Sequence, residues 1–109
     1  MFEIKCIVAI VERGTADKIV DAAKEAGAAG ATIFYGRGTG ESEVKKFLSI
    51  HVESSKEIIL ILIEKEKYKD IMHSMIKAGD LKRPGTGIIF TVPVSNLIGL
   101  HHREEFEDE

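Results

Sequence analysis

Two segments of this 109-residue chain are apolar at consecutive positions, and therefore on both faces of any strand they form. In residues 2–11, Ile4, Cys6, Val8 and Ile10 fall on one side of a pleat, and Ile7, Ala9 and Val11 on the other. Residues 58–63, Ile-Ile-Leu-Ile-Leu-Ile, have no polar side at all. Strands of this kind must be covered twice. No apolar run exceeds six residues, far below the ~20 of a membrane-spanning helix.

The intervening segments read as helices and two further strands. Thr15 is placed to cap a helix whose stripe is Ala16, Ile19, Val20, Ala23 and Ala26, with Gly27 ending it. Residues 30–35, with Thr32, Ile33, Phe34 and Tyr35, form a second strand, which the run Gly36, Arg37, Gly38, Thr39 and Gly40 is expected to break. Residues 41–57 are polar around Phe47, Leu48, Ile50 and Val52; their pattern fits a hairpin arm and a mobile loop equally. Residues 64–78 read as a second helix burying Tyr68, Ile71, Met72, Met75 and Ile76, ended by Gly79. Residues 88–94 are the fourth strand, and Pro93 puts its end at a sheet edge.

The order β-α-β-β-α-β is that of an α+β, ferredoxin-like fold, with a four-stranded antiparallel sheet and both helices on one face. The other face is then apolar and open, a larger patch than single-copy proteins expose, so a homo-oligomer is expected. The topology also sorts the loops. Residues 12–14, 36–57 and 79–87 meet at one end, which gathers both glycine-rich segments.

Composition narrows the function. A net charge of −3 and a pI of about 5.8 disfavour a nucleic-acid binder. One Cys makes neither an internal disulfide nor a Cys-based zinc site, and Cys6 reads as a small core hydrophobe. The first residues lack a signal-peptide pattern, so the expected location is the cytoplasm, without membrane embedding. The length suits one domain over residues 1–100, followed by an acidic tail, 101–109. His51, His73, His101 and His102 show no ligand spacing, and no nucleophile-base set stands out, so neither a metal centre nor an enzyme is expected.

Two segments carry candidate chemistry. Gly36, Arg37, Gly38, Thr39 and Gly40 suit a backbone that turns N–H groups toward an anion, though Glu41 stands where the last glycine of a dinucleotide fingerprint belongs. Lys82 and Arg83 beside Gly85, Thr86 and Gly87 place positive charge at a tight turn of an acidic chain, which suits phosphate. The plain alternatives are a hinge and ordinary turn chemistry. Phe47, Leu48, Ile50 and Val52 are candidates for contact with a partner, or for packing within an oligomer.

Three stretches resemble the PII signal-transduction family, the nitrogen-regulatory proteins. Ala26-Gly27-Ala28-Ala29-Gly30-Ala31-Thr32-Ile33 is similar to the family's Gly-x-x-Gly-x-Thr-Val segment. Arg37-Gly38-Thr39-Gly40 resembles the Lys-Gly-Phe-Gly at the start of its T-loop, and Gly85-Thr86-Gly87-Ile88-Ile89-Phe90 its Gly-Asp-Gly-Lys-Ile-Phe turn. The resemblance runs from about residue 3 to residue 98. It implies a homotrimer whose intersubunit clefts bind an adenine nucleotide (ATP, ADP, AMP or a cyclic nucleotide) with no required cofactor. It also implies a T-loop-like segment, 37–56, that controls a target protein such as a membrane transporter or an enzyme. This chain departs from the pattern where the family's phosphate-binding lysine falls on Ile88, two arginines fall on Gly99 and His101, and the T-loop glutamine falls near Ser42. Such departures mark a divergent member. The alternative is a trimeric metal-binding or structural scaffold without nucleotide sensing.

Overall fold

The computed structural model describes residues 3–39 and 53–99. Its elements are β1 (Ile4–Glu12), α1 (Ala16–Glu25), β2 (Thr32–Thr39), β3 (Glu53–Glu64), α2 (Tyr68–Gly79) and β4 (Gly87–Val94). The strands form one antiparallel sheet in the order β2-β3-β1-β4, the ferredoxin-like arrangement. Pro93 lies on the edge strand β4, where a missing N–H is tolerated.

Alternation along the strands divides the apolar residues between two faces. Ile7, Ala9 and Val11 of β1 join Ile59, Ile61 and Ile63 of β3 under Ile19, Val20 and Ala23 of α1 and Ile71 and Met75 of α2. Among the described residues no helix covers the opposite face. There Val8 is flanked by Leu60 and Phe90, and Ile10 by Ile58 and Ile88. Phe34, Leu62, Ile88, Phe90 and Val92 stay exposed, Ile88 at 58%. Cys6 is buried, but on this open face, between Leu62 and Val92.

The helix ends differ from expectation in instructive ways. Thr15 occupies the N-cap position of α1, but its side chain makes no capping bond. Gly27 does follow α1 at φ +118°, and the N–H groups of Gly27 and Ala28 donate to Lys24 O and Ala23 O, closing a Schellman motif. Gly79, by contrast, does not end α2 by turning left-handed. It is the helix's last residue, where a Cβ would stand 2.7 Å from Ile19 Cδ1, so it lets the helices approach. Asp80 takes the left-handed conformation instead, at φ 53°. α2 also starts later than residue 64, because Glu64 still pairs with Ile4 in the sheet.

Candidate functional site

The loop-bearing end of the sheet collects both glycine segments. Glu12 lies opposite Lys56, Val11 opposite Gly87, and Arg37 opposite Ser55. The run at 36–39 does not break β2. It continues the ladder against Lys56, Ser55, Ser54 and Glu53. The 53–57 part of the uncertain segment is strand as well, so the hairpin arm is the correct reading there. Gly36 and Gly38 are tolerated because side chains of β3 lie across them. A Cβ on Gly36 would stand 3.1 Å from Ile58 Cδ1, and one on Gly38 3.5 Å from the Lys56 stem. On the open face the two glycines thus make a floor over which the Ile58 side chain and the Lys56 stem lie. Gly40, Phe47, Leu48, Ile50 and Val52 lie outside the described residues, as do His51, His101 and His102.

Lys56 reaches back over that floor's edge. Its Nζ lies 2.9 Å from Glu12 Oε1, a cross-strand ion pair with the lysine largely buried. Behind it, on the helix side, Glu57 is 8% exposed. Its Oε1 accepts hydrogen bonds from the N–H groups of Gly14 and Ala16, each at 2.8 Å. This carboxylate caps α1 in place of Thr15 and fixes the 12–15 loop to the root of the arm. The Arg13 N–H adds a bond to Ser55 O at 3.3 Å.

The second glycine segment is a closed turn. Thr86 Oγ1 donates to Arg83 O at 2.8 Å and to Asp80 O at 3.0 Å. Gly85 has φ +85° and Gly87 φ +148°. A Cβ on Gly87 would lie 2.6 Å from Ile10 O, so only glycine lets the turn press onto β1. Arg83 Nε pairs with Asp80 Oδ2 at 3.2 Å, both groups exposed, and Lys82 is exposed beside them. Ile88 projects from the start of β4 onto the open face, opposite Ile10.

The sequence-derived candidates therefore divide into three places. Gly36 and Gly38 floor the open face beside β3. Lys82, Arg83, Gly85, Thr86 and Gly87 stand at the β4 side, about 14 Å away across three strand spacings. Arg37 lies on the helix side, where it lines a cleft of about 360 Å³ with Arg13, Tyr35, Gly36 and Ser55. Lys56, Glu57 and Arg13 escaped sequence reading. Lys56 and Glu12 left a trace, as single charges ending otherwise apolar stripes. Glu57 left none, because its partners are 41 and 43 residues away. Among the described residues no three His, Cys, Asp or Glu side chains converge as metal ligands. Among them also no helix is long and apolar enough to cross a membrane.

Residues 4–104 match the model of the family described as nitrogen regulatory protein P-II. A search of curated proteins returned no match. Among solved structures, a GlnK–ATP complex from B. subtilis superposes with a TM-score of 0.70 at 18% identity, over 88% of this chain and 85% of that one.

Proposed function

We propose that this chain, which belongs to the nitrogen regulatory protein P-II family, is a regulatory protein rather than an enzyme. In this reading it binds an adenine nucleotide in clefts between copies of itself. The observation that carries it is the open apolar face, which ends in the glycine floor on one side and the Gly85-Thr86-Gly87 turn on the other. Three copies meeting through these faces bring the floor of one against the turn of the next. The ATP bound by the structurally similar GlnK supports the ligand class.

Within the cleft the residues have separate tasks. The glycine floor, with the Ile58 side chain and the Lys56 stem lying over Gly36 and Gly38, offers an apolar surface to the flat face of a base. The turn, with Lys82 and Arg83, meets phosphate; Arg83 exchanges its exposed Asp80 pair for a phosphate oxygen at little cost. Ile88, where the family carries a lysine, packs rather than pairs. Lys56 supplies a further cation once the ligand competes with Glu12.

Nucleotide binding then shifts the population of arm conformations. Residues 37–56 form the responding segment, and Phe47, Leu48, Ile50 and Val52 touch a target, a membrane transporter or a cytoplasmic enzyme. Calorimetry with ATP, ADP, AMP and cyclic nucleotides tests the ligand. Heat with at least one, diminished by changing Lys82 and Arg83 to Gln, is expected. No heat with any of them, at concentrations able to detect ~100 μM binding (about −5.5 kcal/mol), contradicts the reading.

A further inference from the structure

We propose, resting on the nucleotide reading above and narrowing it, that the cleft is built for a single phosphate: its ligand is an adenosine monophosphate, open or cyclic, in preference to ADP or ATP. The register of the sheet carries this. On the open face Phe34, Ile58, Ile10 and Ile88 form one cross-strand row from edge to edge, with no polar side chain in it. The next row toward the loops is Gly36, Lys56 and Glu12, where the pairing of β1 with β3 ends. Successive rows on one face are about 7 Å apart. Beyond them the arm offers Gly38 opposite Ser54, neither of which carries a charge.

The one charged row is electrically neutral. Lys56 and Glu12 hold each other at 2.9 Å, so the lysine is already matched. At the other border of the cleft Lys82 and Arg83 stand beside Asp80, with Arg83 paired to it at 3.2 Å. Three cations therefore face two carboxylates, a surplus of one positive charge. Arg13 and Arg37 line the cleft on the helix side, across the sheet from this face. Residues 40–52, outside the described ones, balance Glu41 and Glu43 with Lys45 and Lys46 and add no surplus.

One phosphate fits that inventory. Lys82 meets it, and Arg83 joins when Asp80 releases it, an exchange between exposed groups that costs little. A second and a third phosphate find no further cation. They bring negative charge beside Glu12 and Asp80, in a chain whose net charge is already −3. Ile10, Ile58 and Ile88 offer them carbon where they need donors. The same apolar row suits the other end of the ligand, the adenine ring.

The full chain is titrated calorimetrically with AMP, 3′,5′-cyclic AMP, ADP and ATP at one ionic strength, once with EDTA and once with magnesium chloride. In EDTA, affinity is expected to fall as phosphates are added, with AMP or cyclic AMP binding about five times more tightly than ATP. AMP ahead of cyclic AMP identifies the open monophosphate; cyclic AMP equal or ahead identifies the diester. Magnesium, which carries part of the extra charge, is expected to narrow the gap without reversing it. Glu12→Gln, which frees Lys56, is expected to tighten ATP more than AMP. ATP binding in EDTA as tightly as both monophosphates overturns the proposal and leaves the nucleotide reading standing, as does a gap that Glu12→Gln leaves unchanged or that magnesium reverses. Heat with none of the four contradicts the nucleotide reading itself and removes this proposal with it.

Discussion

The Glu57 carboxylate and the Ala16 amide are hydrogen-bonded at 2.8 Å across 41 residues of sequence, and the same oxygen takes the Gly14 amide. One buried side chain thus ties the arm's root to the first turn of α1. Glu57→Ala leaves two donors without an acceptor and lowers stability by about 2–3 kcal/mol, whereas Glu57→Gln, which keeps a carbonyl oxygen but loses its charge, lowers it by about 1 kcal/mol. Urea unfolding followed by circular dichroism distinguishes the two.

The turn before β4 gives a paired prediction. Gly85→Ala meets open space but a left-handed backbone, and destabilises by about 1–2 kcal/mol. Gly87→Ala adds a Cβ 2.6 Å from Ile10 O and is more damaging, about 3 kcal/mol. The thermal midpoints of the two variants are expected to fall in that order.

Cys6 tests the sidedness of the sheet. Burial pushes its thiol above the ordinary 9.0. In the native protein, alkylation by iodoacetamide at pH 8 is therefore slow, and unfolding by urea releases it to the rate of a free thiol. Since unfolding liberates a group that ionises near 9.0, its contribution to stability is complete below that pH. It is lost as the pH climbs toward the higher folded value. A Cys6→Ala variant is expected to show a flatter stability profile above pH 9.

Where sequence reasoning succeeded and failed follows from the range of the interactions. The two-faced strands were legible because Ile7 and Val8 sit next to each other and a pleat sends them to opposite sides. Gly27 was legible as well, since a Schellman turn is local. Gly36 and Gly38 misled, because glycine disfavours strands on average. Here the Ile58 and Lys56 side chains fill the space, and the ladder supplies the rest. Gly79 misled for a related reason: its role is the approach of Ile19 from another helix, not its own dihedral angle. Thr15 carried the right residue type for a cap, but the sheet delivers a stronger acceptor from β3. The helix-side cleft was invisible, since Arg13 meets Arg37 and Ser55 only after three elements assemble.

The account rests on the uncovered apolar face, where Phe34, Leu62, Ile88, Phe90 and Val92 meet no other part of the described chain that buries them. Each Å² of apolar area that another copy covers there contributes about 25 cal/mol. Sedimentation equilibrium of the full chain at micromolar concentration tests this most directly. The predicted mass is three times 12.0 kDa, with Phe90→Lys reducing it to a single copy that keeps its helix and strand content. A wild-type protein that remains at 12.0 kDa would contradict the assembly, and with it the clefts between copies.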